Sequence, residues 1–113
     1  MDAATSPVLE LRNYRLKPGM RDAFHRLLSD ETLPLVRASG IRVVRNEPSL
    51  HDADSYVLIR AFDSLDRRTE QEEAFYGSEL WLTQYEARVM AMIDFYVTVV
   101  VPADSETVGL LSL

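Results

Sequence analysis

Apolar and polar residues alternate along Val8-Leu9-Glu10-Leu11-Arg12-Asn13-Tyr14-Arg15-Leu16, and a period of two predicts a strand. Lys17-Pro18-Gly19 ends it, because Pro18 cannot donate to a ladder and Gly19 turns the chain. The period then changes. Met20, Phe24, Leu27 and Leu28 recur at helical spacing, and Pro34 predicts a kink or a restart over residues 32–38, closed by Ser39-Gly40. Residues 41–46 and 55–62 read as strands separated by a polar loop. Asp63-Ser64 caps a second helix that runs to Phe75, breaks at Gly77-Ser78 and restarts with Ser78 as cap. Its inner face is Trp81, Tyr85, Val89 and Met92. Residues 94–101 form a fourth strand, ended by Pro102. The order βαββαβ predicts an α+β, ferredoxin-like domain, a four-stranded antiparallel sheet with both helices on one face. Residues 1–7 read as an extension, 8–102 as the domain and 103–113 as a tail apolar enough to dock, as an edge strand on a partner subunit.

Alternation sorts the strands into two faces. Leu9, Leu11, Ile41, Val43, Val57, Ile59, Ala61, Phe95, Val97 and Val99 make an almost wholly apolar one, the face expected under the helices. The other combines Tyr14, Tyr56, Leu58, Phe62, Tyr96 and Val100 with Glu10, Arg12, Arg42 and Arg60. It is too apolar for solvent, and its aromatic and Arg content is that of an interface, so it predicts a homodimer built sheet to sheet.

Charge and composition then exclude classes. The net charge of −6 disfavours nucleic acid. Residues 1–46 carry eight Arg/Lys against five Asp/Glu and the remainder four against thirteen, a polarity that a solvated acidic helix around Glu70-Gln71-Glu72-Glu73 explains. No apolar run approaches the ~20 residues of a membrane span. The absence of cysteine and of a signal-like start fits a cytoplasmic protein. Two distant histidines and scattered carboxylates give no metal spacing, and there is no phosphate loop, catalytic triad or carboxylate pair, so no cofactor is expected.

Residues 9–19, Leu9 through the Pro18-Gly19 turn, resemble the opening of the NIPSNAP family. So do Ala61-Phe62-Asp63-Ser64-Leu65-Asp66-Arg67-Arg68 and the later Ser78-Glu79-Leu80-Trp81. The likeness spans roughly residues 8–101 and implies the dimeric α/β-barrel superfamily. That superfamily includes cofactor-free monooxygenases of aromatic polyketides and haem-degrading relatives, while NIPSNAP members generally lack an assigned reaction. The expectation is a protein that binds a small hydrophobic or aromatic molecule, with cofactor-independent monooxygenation as its enzymatic form. The alternative is a non-catalytic dimeric binding or scaffold module.

The candidate ligand residues are Asn13, His25, Trp81 and Tyr85. Asn13 and Trp81 are similar to an Asn–Trp pair that flanks substrate in superfamily oxygenases, and Tyr85 lies one helical turn from Trp81. An Asn amide holds a phenolate or peroxide oxygen and a Trp stacks on a ring; the plainer reading makes Asn13 a strand-end residue and Trp81 a core filler. His25 borders an apolar stripe, and His51 sits in a polar loop. Arg12, Tyr14 and Arg60 are candidates for a barrel interior, where Arg keeps its charge and binds a carboxylate or enolate. Their plainer reading is a Glu10–Arg12–Arg60 network across the dimer.

Overall fold

The computed structural model describes residues 5–112; the first four residues of the expected extension and Leu113 of the tail lie outside them. The chain forms β1 (Val8–Leu16), α1 (Arg21–Leu27), a π-helical turn (Leu28–Thr32), α2 (Leu33–Ala38), β2 (Arg42–Pro48) and β3 (Ser55–Phe62). After these come α3 (Leu65–Tyr76), a second π-helical turn (Trp81–Tyr85), α4 (Glu86–Met90), β4 (Ile93–Pro102) and α5 (Ser105–Leu111). The strands form one antiparallel sheet in the order β2-β3-β1-β4, the ferredoxin-like α+β arrangement expected from the element order.

Local chemistry accounts for the boundaries. Gly19 and Gly40 adopt φ of 80° and 99°, backbone that side chains with a Cβ rarely take, where the chain must leave β1 and α2. Ser64 caps α3 by accepting the Arg67 amide at 3.0 Å, and the Ser78 hydroxyl accepts the Trp81 amide at 3.3 Å where the helix resumes. Pro34 falls at the start of α2, where its missing N–H is tolerated, so the restart takes the form of a π-helical turn leading into α2.

The two sheet faces are assigned opposite to the expectation. The helices cover the face of Tyr14, Leu16, Tyr56, Leu58 and Phe62, which pack with Phe24, Leu28, Leu33, Val36, Phe75 and Val89. The reason is charge. Glu10 and Arg60 point to the same side and can be buried there because α3 brings Arg68 and Glu72 to meet them. The aliphatic face of Leu9, Leu11, Val57, Ile59, Val97 and Val99 is turned away from the first four helices. Ile41 and Val43 depart from the apolar set: both join the helix-side core, and Val44, skipped in the pairing at the Val43/Arg45 bulge, lies on the opposite face.

The tail also differs from expectation. It forms a helix, α5, capped by Asp104, which accepts the Thr107 amide at 2.7 Å. Val108 is buried against Leu9 and Ile59, so α5 covers one end of the aliphatic face of its own sheet instead of adding a strand to a partner.

Phe24 is the packing centre, fully buried with ring centroids 5.2 Å from Tyr14 and 5.1 Å from Tyr56. Phe24→Ala is expected to cost about 3–5 kcal/mol in urea unfolding; a loss below about 1 kcal/mol would mean the core closes without it.

Candidate functional site

Under α3 lies a cluster of ionised groups. Glu10 stands opposite Arg60 in the β1–β3 register, and both side chains are 0% exposed. Arg60 Nε donates to Glu10 at 2.8 Å, its Nη2 to Glu72 at 2.9 Å and its Nη1 to the Tyr76 hydroxyl at 2.7 Å. Arg68 Nε lies 2.7 Å from Glu10 and 2.9 Å from Glu72. Arg12 Nη2 donates to Glu72 at 2.8 Å. The expected Glu10–Arg12–Arg60 network therefore exists, but it joins sheet to helix within one chain. It also recruits Glu72, from the stretch expected to be a solvated face.

Burial alone would raise the carboxyl of Glu10, but the neighbouring Arg60 and Arg12 guanidiniums outweigh it and hold it below the ordinary range. Glu72 moves the other way, raised by burial and by the charge of Glu10. Burial pushes the Tyr14 hydroxyl up to about 12, against the pull of Arg12.

Beside this cluster, between the sheet and the second helical segment, is a cavity of about 290 Å³. Arg12, Tyr14 and Tyr96 line it from the sheet, Tyr76 and Trp81 from the helical side. Val89, Met90 and Ile93 add apolar wall, and Glu86 stands exposed at its mouth. The aromatic groups are organised by contact with one another. Trp81 meets Tyr76 edge-on with centroids 5.0 Å apart and lies nearly parallel to Tyr85, 22° between planes at 6.2 Å. The Arg12 guanidinium sits 5.2 Å from the Tyr96 ring centre and 5.6 Å from that of Tyr76.

The expected site residues are only partly brought together. Trp81 lines this cavity, and Arg12 and Tyr14 line it too instead of the barrel interior expected for them, because their face of the sheet is the one the helices cover. Tyr85 backs it by stacking on Trp81, and its hydroxyl faces Glu31 at 3.4 Å. Arg60 lies behind the wall with its donors engaged. Asn13 does not belong. It pairs in register with Val57 and Val97 and lies with them on the open face, so no Asn13–Trp81 pair forms. The physical reason is the period of two: with Arg12 and Tyr14 turned towards the helices, Asn13 must turn away. His25 is also elsewhere, its Nδ1 hydrogen-bonded to the Tyr56 hydroxyl, which accepts from Asn46 at 3.0 Å. His51 meets the Ser49 hydroxyl at 3.1 Å in its loop. Met92, expected beside Trp81, packs on the core, and Met90 lines the cavity instead. Tyr76 was not singled out from the sequence, although its place four residues after Glu72 puts it on the same side of α3. Among the described residues no group of three or more His, Cys, Asp or Glu side chains is arranged to hold a metal. No helix among them is long and apolar enough to cross a membrane.

This domain is a ferredoxin-like α+β unit with an aromatic cavity between its helices and its sheet. No family model matches the chain, and comparison with curated proteins finds no match. Solved structures give the fold. A NIPSNAP family protein of unknown function from Agrobacterium tumefaciens superposes with a TM-score of 0.79 at 24% identity, over 88% of this chain and 89% of that one. A second NIPSNAP family protein from the same organism gives a TM-score of 0.80 at 14% identity, over 93% and 92%. A presumed antibiotic biosynthesis monooxygenase from Caulobacter crescentus gives 0.69 at 13% identity, over 91% and 94%. The chain has the fold of the NIPSNAP proteins, as the resemblance of its first strand and second helical segment implied.

Two outcomes follow from the cluster. Glu10→Gln leaves Arg60 and Arg68 facing a neutral amide in a buried site, and the expected loss is about 3–5 kcal/mol in chemical denaturation. Tyr14 bears on alkaline stability. Its folded pKa is raised above the ordinary value of 10.0, so its stabilising contribution is complete below pH 10 and is lost as pH rises through about 12. The rise from 10.0 to about 12 corresponds to about 3 kcal/mol. Stability of the unmutated protein should fall across that window, and Tyr14→Phe should flatten part of the fall.

Proposed function

We propose that the protein is a homodimeric binder of small aromatic or hydrophobic molecules, which it takes into the cavity between helices and sheet. The observation that carries this reading is the lining: four aromatic rings, Tyr14, Tyr76, Trp81 and Tyr96, around about 290 Å³ of space, with few polar groups to fix a ligand's orientation. A filled interior would instead have favoured a scaffold module. Cofactor-independent oxygenation of the bound molecule is the catalytic extension of the reading, suggested by the fold likeness to the Caulobacter protein. Binding is the part that the lining of this chain supports directly.

Trp81 is the chain's single tryptophan, so its emission reports on the cavity without labelling. Titration with two-ring aromatic compounds should quench or shift that emission saturably, and Tyr96→Ala should weaken the response by about tenfold through loss of a stacking wall. Unchanged emission across a varied aromatic set would count against the cavity as a binding site. Oxygen uptake on adding the tightest binder tests the catalytic extension.

The dimer in this reading uses the aliphatic face. Val97 and Val99, more than half exposed, line an open concavity of about 910 Å³ with Leu11 and Val57, and Phe95 is 57% exposed on the same strand. A contiguous aliphatic sheet face of this kind is larger than monomers usually leave in water, and a second copy of the same face is its simplest cover. Val99 is 51% exposed on this face, so the informative substitution is Val99→Asp. Sedimentation equilibrium should give a dimer for the unmutated protein and a folded monomer for Val99→Asp. A monomeric unmutated protein would refute the dimer.

A further inference from the structure

The ion cluster beside the cavity does not balance. Three guanidinium groups, of Arg12, Arg60 and Arg68, share two carboxylates, of Glu10 and Glu72, leaving one positive charge in excess. An excess charge in a desolvated site is costly unless something answers it.

The excess falls on Arg12. Arg60 is completely buried and its nitrogens are engaged by Glu10, Glu72 and the Tyr76 hydroxyl. Arg68 reaches both carboxylates. Arg12 has one short contact to a carboxylate, Nη2 to Glu72 at 2.8 Å, while its Nε is 3.6 Å from Glu10, buried and without a hydrogen-bond partner. Arg12 is also the member of the cluster that lines the cavity. The rings of Tyr76 and Tyr96 flank it, which shields its charge from water and strengthens any pairing made there.

Resting on the cavity reading above, we infer that the ligand is a monoanionic planar aromatic acid whose ionised oxygen docks on Arg12 while its rings lie among Trp81, Tyr76 and Tyr96. One negative charge matches the one positive charge in excess, and a doubly charged phosphate ester would leave a charge unanswered in an aromatic site. Glu86 at the exposed mouth sets the direction of entry, since a carboxylate there disfavours the acid end and leaves the inner end by Arg12 for it.

The test uses two isosteric probes, 2-naphthoate and 2-naphthamide, titrated into the full-length protein by calorimetry and Trp81 emission. The naphthoate is expected to bind at least about tenfold more tightly than the amide. In Arg12→Gln, checked for folding by circular dichroism, the naphthoate should fall to the level of the amide. Equal binding of the two probes to the unmutated protein would overturn the anion inference while leaving the cavity reading intact. Failure of both to bind would remove the cavity reading and the inference with it. A preference for naphthoate that survives Arg12→Gln would show that Arg12 is not the anchor.

Discussion

Glu10 and Arg60 occupy directly opposed positions on neighbouring central strands and are both removed from water, and this pair constrains much of the rest of the molecule. Taking the two charges out of solvent is expensive, and their attraction returns that cost only if their remaining donors and acceptors are met. The sheet alone cannot meet them. α3 must therefore lie over this face, so that Arg68 and Glu72, one turn apart, and the hydroxyl of Tyr76 reach the pair. A slip of β1 by one residue would turn Glu10 and Arg12 to the aliphatic side and leave Arg60 buried without Glu10. The cluster thus fixes register and face more than it adds net stability.

The two functional features follow from that choice of face. Because the charged face is covered, the aliphatic face is left open, and α5 covers only its end near Leu9 and Ile59. Because Arg12 belongs to the cluster but lies towards β4, its guanidinium reaches past the ion pairs to the cavity under the second π-helical turn. Irregular helical turns of this kind recur at functional sites. Here the turn carries Trp81 and Tyr85, whose rings lie nearly parallel.

The element order and most boundaries were legible because they rest on short-range chemistry: alternation in β1, Gly19 and Gly40 at turns, Ser64 and Ser78 at helix starts. The assignment of faces was not, because mean polarity misleads when charges neutralise one another. Glu10, Arg12 and Arg60 made their face look unsuited to a core, and the answering Arg68 and Glu72 lie on α3, far in sequence from Glu10 and Arg12. Arg68 and Glu72 at a spacing of four were the available signal. The error carried over to the site. With the faces exchanged, Asn13 appeared to stand beside Trp81, whereas Arg12 and Tyr14 do so. Tyr76 escaped notice because nothing local distinguishes a tyrosine that closes an ion cluster from one that merely packs.

Arg12 is the charged end of the ion cluster left open to the cavity. The most direct measurement is the ¹⁵N-detected spectrum of the arginine Nε groups during titration with 2-naphthoate. The Arg12 Nε–H resonance should shift saturably, with the Arg60 resonance nearly fixed behind it. A titration that moves the methyl resonances of Val97 and Val99 on the open face, and leaves Arg12 unchanged, would contradict this.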